Sequence, residues 1–276
     1  VKLELAHVAK SFGGLRAVSD VGFVLPPRAI FGLIGPNGAG KTTVFNLISG
    51  VYRADAGTIR FGDVELGRLA PAEVASRGVA RTFQNIRLFA QLTALENLLV
   101  ACERTRTTHL AGALLRSPAY HRDEARMRAR AMDLLDVFGL ADAAFAPSTS
   151  LPYGSQRRLE IARAMMLEPR LVLLDEPAAG MNHTEADALG AQIRWLRDTF
   201  DVSILVVEHN MRLVMEVCEA IHVLDHGVTI AHGTPAEIRA DPRVIAAYLG
   251  QEDAPPRERG ESGESGERGE RDEVAP

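Results

Sequence analysis

The stretch Gly35-Pro36-Asn37-Gly38-Ala39-Gly40-Lys41-Thr42-Thr43 constrains this chain more than any other. It fits G-x-x-x-x-G-K-[ST], the phosphate-binding loop, and both flanks have the form that such a loop requires. Before it, Ala29-Ile30-Phe31-Gly32-Leu33-Ile34 is a short apolar run bounded by Pro27 and Gly35, which reads as a buried strand. After it, Thr43 to Ser49 reads as a helix closed by Gly50 as a C-terminal cap. Glycines let the backbone wrap closely around phosphate oxygens, and amide N–H groups at the helix N-terminus point at them. In such a loop Lys41 reaches the β- and γ-phosphates and the Thr42 hydroxyl ligates Mg²⁺.

A chain of 276 residues with 46% apolar content can bury a full core in one large or two modest domains. No apolar run approaches the roughly 18 residues that span a bilayer, and no signal peptide opens the sequence, so a soluble, cytoplasmic chain is expected. Cys102 and Cys218 lack metal-ligand spacing and read as reduced, buried small side chains. The net charge of −5 is local: nine acidic and four basic residues fall within 251–276. The remaining body is balanced and offers no electrostatic case for nucleic acid. The same 26 residues, with repeated Arg-Gly-Glu and Ser-Gly-Glu, have nothing apolar to bury and predict a disordered acidic tail beyond Gly250.

The chain opens β-rich. Residues 2–8 alternate apolar and polar as a half-buried strand does, Val21 to Leu25 reads as another strand, and Gly57 to Asp63 returns to the same small sheet. Phe12 stands in a glycine-bounded turn. An aromatic upstream of a phosphate loop can stack on a base, but from its position alone Phe12 reads as a core side chain. A short helix at 72–77 leads to Gly78 to Gln84, a strand ending on a polar amide. Residues 94–145 look helical throughout, most clearly at 122–135, where Met127, Ala131, Leu134, Leu135 and Phe138 keep helical spacing. Residues 86–150 therefore predict a helical lobe inserted into an α/β core.

The core resumes with a helix from Arg157 to Leu167 and the apolar run Leu171-Val172-Leu173-Leu174, suited to a central parallel strand. Asp175 and Glu176 follow it directly. A carboxylate at that strand end can hold Mg²⁺ through water, and its neighbour can polarise a water for attack on the γ-phosphate. A helix at 184–197 and the buried strand 202–207 lead to Glu208-His209-Asn210, with His209 at the sheet edge where ligands bind. A hairpin about Asp225-His226-Gly227 and a helix starting at Thr234-Pro235-Ala236-Glu237 complete the body.

The ordered set of Phe12, GPNGAGKTT at 35–43, Gln84, Gly154 to Gln156, LLDEP at 173–177 and His209 resembles the ATP-binding subunit of an ABC transporter across residues 1–250. The resemblance implies a P-loop NTPase core with an N-terminal antiparallel β subdomain and an inserted helical subdomain, binding ATP and Mg²⁺. It also implies that Phe12 stacks on adenine, that Gln84 senses Mg²⁺ and the γ-phosphate, and that Asp175 and Glu176 are the metal-positioning and catalytic carboxylates. His209 then contacts the γ-phosphate. RTFQNIRLF (81–89), ENLLVA (96–101), YGSQRRLEIARA (153–164), LLDEPAAGMN (173–182) and VIAAYLG (244–250) are similar to the larger ATPase subunit of branched-chain amino-acid importers. Two positions depart from the general pattern: Leu-Ser-Gly-Gly-Gln stands as Pro152-Tyr153-Gly154-Ser155-Gln156, and the usual aspartate after the catalytic Glu is Asn182. The first departure also occurs in that branch.

In this family the phosphate loop and the signature face different nucleotides, so one of each per chain implies a two-chain site. Tyr153, Gly154, Ser155 and Gln156 would meet the partner's nucleotide. The implied partners are a second ABC ATPase subunit (a heterodimer in preference to a homodimer), two integral-membrane permeases docked near Gln84, and indirectly a substrate-binding protein. The implied location is peripheral, on the cytoplasmic face of the cell membrane. Two alternatives share the motifs: an ATPase of lipopolysaccharide export, and a soluble ABC ATPase of DNA repair or translation. The latter is disfavoured by the single cassette and by the absence of a basic body.

Overall fold

Strand Ile30–Ile34 (β3) is buried at every position, yet its side chains divide between two cores. Ile30 and Ile34 join one apolar cluster, Phe31 and Leu33 the other. The same alternation runs through Leu171–Asp175 (β7) and Ser203–Val207 (β8), as the two-residue period of a strand covered on both faces demands. The computed structural model describes residues 1–84, 86–102 and 118–249. The expected tail at 251–276, part of the expected lobe (103–117) and the Cys102 side chain lie outside the described residues.

Two sheets form the frame. Leu3–Phe12 (β1), Leu15–Leu25 (β2), Ala56–Phe61 (β4) and Val64–Glu65 (β5) make an antiparallel sheet of order β2-β1-β4-β5. The second sheet has the order β10-β9-β3-β8-β7-β6, with Val79–Arg81 (β6), Ala220–Asp225 (β9) and Val228–Gly233 (β10). All its neighbours run parallel except β10, which pairs antiparallel with β9. One core packs this sheet against the small sheet and helix Lys41–Ile48 (α1). The other packs it against Ala94–Cys102 (α2), Pro118–Val137 (α3), Tyr153–Met165 (α4), His183–Phe200 (α5) and Met211–Val217 (α6).

Five parallel strands end at one edge, and each delivers a candidate residue there. The phosphate loop follows β3, Asp175 and Glu176 close β7, His209 follows β8, Gln84 follows β6, and His226 follows β9. Ligands bind at this carboxyl edge in open α/β sheets because the strand ends leave a crevice between diverging connections.

Several boundaries differ from the sequence reading. Residues 138–145 are not helical throughout: Phe138 and Gly139 end α3, and only Ala141–Ala143 forms a short 3₁₀ turn. Helix α4 starts at Tyr153 rather than Arg157, with Pro152 as its N-cap. Strand β6 stops at Arg81, so Thr82 to Gln84 form a connection rather than a strand. Phe12 ends β1 and is 41% exposed, so it is not a core side chain. Helix α6 and the helix Pro242–Leu249 were not expected from the sequence.

Candidate nucleotide site

The phosphate loop is held open by backbone that only glycine tolerates. Gly35 sits at φ +151°, and a Cβ there would lie 2.0 Å from the Leu224 carbonyl oxygen. Gly40 sits at φ +100°, and its Cβ would lie 2.5 Å from the Ala17 carbonyl oxygen. The β9–β10 turn braces the loop from outside: Gly227 N–H donates to Ala39 O at 3.0 Å, and Ser19 N–H donates to Gly227 O at 2.7 Å. Helix α1 begins on Gly40 without a side-chain cap, which leaves its first N–H groups for a ligand.

Lys41 is buried, and its Nζ donates to Gly35 O at 2.7 Å and Pro36 O at 2.9 Å. These carbonyls hold the ammonium at the mouth of the loop. Burial pushes its pKa down, and the nearby Glu176 and Asp175 charges partly oppose that shift. The loop opens into a cleft of about 410 Å³. Phe12, Arg16, Lys41, Thr42, Glu176 and His226 line it together with the loop backbone. Phe12 stands edge-on to Tyr52 at 5.0 Å between ring centroids.

Beyond the loop stand the two carboxylates. Asp175 is buried, and its Oδ2 accepts from Arg81 Nη2 at 2.8 Å. Its Oδ1 has no hydrogen-bond partner among the described residues, so one oxygen stays free for the hydration shell of a divalent ion. With the exposed Thr42 hydroxyl, this donor set fits Mg²⁺. Glu176 occupies φ +44°, a conformation uncommon outside glycine, and is tied by its N–H to Val207 O at 2.8 Å. Its Oε2 accepts from Gln84 Nε2 at 2.6 Å and lies 3.7 Å from His209 Nδ1. Gln84 and His209, which the sequence pointed to separately, thus converge on one oxygen of Glu176.

What holds them was not legible in sequence. Glu208 is fully buried; its Oε1 accepts from Ala178 N–H at 2.7 Å, and its Oε2 accepts from His209 N–H and Asn210 N–H at 3.1 and 3.2 Å. Burial raises its pKa against these hydrogen bonds. It joins the segment after Glu176 to the one bearing His209. Arg157 and Glu160 of α4 form a buried pair at 2.8 Å. Arg157 donates to Phe83 O at 2.8 Å and Gln84 O at 3.0 Å, which fixes the backbone from which Gln84 reaches Glu176. The available signal was an Arg and a Glu one helical turn apart, which without the fold reads as a solvated pair.

The segment Tyr153 to Gln156 is not brought to this cleft. Tyr153 Oη donates to Ala179 O at 3.1 Å, Ser155 Oγ accepts from Arg158 at 3.0 Å, and Gln156 Nε2 donates to Leu151 O at 2.8 Å. Gly154 has open space where a Cβ would stand. Asn182 caps α5: its Oδ1 accepts from Glu185 N–H at 3.0 Å, while its own N–H donates to Glu185 Oε2 at 2.9 Å. Asparagine caps as well as aspartate does, so the departure at this position leaves the helix start intact.

The chain matches the ABC transporter family over residues 18–179, and the family described as branched-chain amino acid ATP-binding cassette transporter over residues 228–254. It is 45% identical over 249 residues to the high-affinity branched-chain amino acid transport ATP-binding protein BraF of Pseudomonas aeruginosa, covering 90% of this chain and 98% of BraF. It is 46% identical over 240 residues to LivG of Escherichia coli, which carries the same description, covering 87% of this chain and 94% of LivG. The lipopolysaccharide export system ATP-binding protein LptB of Escherichia coli is 34% identical over 250 residues, covering 91% of this chain and 98% of LptB. Among solved structures, the ADP conformation of MJ1267, an ATP-binding cassette of an ABC transporter, superposes with a TM-score of 0.79 at 28% identity, covering 90% of this chain and 98% of MJ1267. A phosphate loop, a strand-end carboxylate pair and a family match along most of the chain together mean that this protein belongs to the ABC transporter family, as an ATP-hydrolysing subunit.

Proposed function

We propose that ATP hydrolysis by this chain powers uptake of branched-chain amino acids through a membrane permease. The observation that carries the reading is the convergence of Gln84 and His209 on Glu176 beside the phosphate loop. Similarity to BraF at 45% against 34% to LptB supports amino-acid uptake over lipopolysaccharide export.

The chemistry follows from these side chains. The free N–H groups of α1 and the Lys41 ammonium bind the phosphates, Lys41 exchanging its two carbonyl partners for phosphate oxygens. The Thr42 hydroxyl and, through water, Asp175 would hold Mg²⁺, which would supply charge neutralisation. Glu176 takes a proton from the attacking water, and Gln84 and His209 fix its carboxylate for that step. The exposed Phe12 ring offers a stacking face for adenine. Tyr153, Gly154, Ser155 and Gln156 lie outside the chain's own cleft and serve the nucleotide of a second ATPase subunit, with a heterodimer favoured. ATP does work by binding the closed pair better than the open one.

Two integral-membrane permeases and, through them, a substrate-binding protein complete the complex, with this chain peripheral on the cytoplasmic face of the membrane. No described helix is long and apolar enough to cross a membrane itself. The permease contact is assigned near Gln84. Leu88 is half-buried against the core, whereas Phe89 is 47% exposed with the Arg163 guanidinium 5.6 Å from its ring centre. An exposed aromatic rimmed by charge suits a surface that a partner covers. Phe89→Glu in the assembled transporter should leave ATP binding intact and abolish leucine uptake. Normal uptake with that variant would remove this surface from the coupling path.

A further inference from the structure

Arg81 is a cation beside Asp175 that the reaction described above does not use. It closes β6, beside Leu173 of β7, and its side chain is only 11% exposed. One arm of the guanidinium, Nη2, donates to Asp175 Oδ2 at 2.8 Å. The other, Nη1, donates to Asn46 Oδ1 at 2.7 Å and Ser49 Oγ at 3.0 Å, on and at the C-cap of the helix that starts in the phosphate loop. Its carbon lies 5.6 Å from the Phe45 ring centre and 5.3 Å from that of Phe83, the residue before Gln84. A planar fork bound on both arms between two aromatic rings has little rotational freedom.

We propose that Arg81 is a positioning residue for Asp175. By occupying Oδ2 and anchoring itself to α1, it fixes the carboxylate relative to the phosphate loop and reserves Oδ1 for the hydrated Mg²⁺. The inference rests on the reading of Asp175 as the metal-side carboxylate. It follows that the part of ATP affinity contributed by Mg²⁺ depends on Arg81, while the metal-free part, set by Lys41 and the loop amides, does not. Partners that orient a metal-site carboxylate are worth about 10–100-fold in metal affinity. Lysine keeps the charge but cannot hold Asp175 and Asn46 at once, so it should replace arginine only in part.

The test measures binding of a fluorescent ATP analogue to the full chain, in Mg²⁺ and in chelator, for wild type, Arg81→Gln, Arg81→Lys and Asp175→Asn, each checked for folding by circular dichroism. For Arg81→Gln the affinity gain from Mg²⁺ should fall about tenfold, with affinity in chelator nearly unchanged and Arg81→Lys intermediate. A wild-type gain in Arg81→Gln overturns the proposal, as does an equal loss in both conditions, which marks a purely structural role. If Arg81→Gln does not fold, a wild-type gain in Arg81→Lys overturns it. Asp175→Asn separates the two levels. If it loses the Mg²⁺ gain while Arg81→Gln keeps it, only the Arg81 inference fails; if Asp175→Asn keeps the gain, the reading of Asp175 itself fails.

Discussion

Glu176 shows most clearly how single residues make this site. Its strained backbone and its bond from Gln84 hold the carboxylate at one place on the sheet edge. Glu176→Gln keeps the size and loses the base, so ATP should still bind while hydrolysis falls by about 10²–10⁴-fold. Size-exclusion chromatography with ATP should then show a persistent closed dimer, and turnover at the wild-type rate would remove Glu176 from the catalytic role. Lys41→Ala acts earlier, removing a charge-assisted contact worth about 1.5–3 kcal/mol, so ATP affinity itself should drop by roughly ten- to a hundredfold in a binding titration. The phosphate loop, Asp175, Glu176, Gln84 and His209 were legible in sequence because each lies in a short local string at a strand end. Arg81, Arg157, Glu160 and Glu208 were not. Each has a partner far along the chain, as Arg157 meets Phe83 74 positions away, and a buried charge has no local signature. Phe12 was misjudged in one respect: its neighbours in sequence suggest core, but β1 ends at a sheet rim beside the cleft.

At the scale of elements, the buried strands were read correctly from continuous apolar runs, and the helix at 235–240 from its cap. The reading failed where helical spacing was carried past the helix end, at 138–145, and where a helix start carried glycine and serine, at 153–156. At the first, Gly139 takes a φ of +65° just after α3, and Phe138 turns inward, edge-on to Trp195 and stacked on Phe200. The junction between the two sheets carries a testable pH response. His222 of β9 is buried against Phe23 of β2, with ring centres 5.0 Å apart, and its Nε2 bonds Thr229 Oγ1 at 2.8 Å. Burial, then the neighbouring His232, lowers its pKa from 6.5 to about 4. The unfolded chain therefore binds this proton more readily, so stability is full above about pH 6.5 and is lost as pH falls toward 4. Between about pH 7.5 and pH 5 this site should remove about 2 kcal/mol. Thermal melts should show that component disappearing in His222→Phe; an unchanged pH slope would assign it elsewhere.

The whole molecule is arranged so that one chain presents two unlike surfaces. The carboxyl edge of the large sheet gathers the phosphate loop, Asp175, Glu176 and His209, while the N-terminus of α4 turns Tyr153 and Gly154 away from that cleft. The strand order that makes this possible, with β3 between β9 and β8, was not legible in sequence, because nothing local records which buried strand lies beside which. The same α4 carries Arg157, whose Nη2 donates to Gln84 O at 3.0 Å and to Glu176 O at 3.4 Å, so this helix is tied to the backbone of both residues. On the proposed function, this link joins hydrolysis to a permease bound near Phe89. The most direct measurement is ATP-driven uptake of radiolabelled leucine by proteoliposomes holding the complete transporter, compared between wild type and Glu176→Gln. The account predicts leucine accumulation that needs ATP on the side of this chain and is abolished by the variant. Accumulation at the wild-type level with Glu176→Gln, or none with an intact wild-type complex that still hydrolyses ATP, would contradict it.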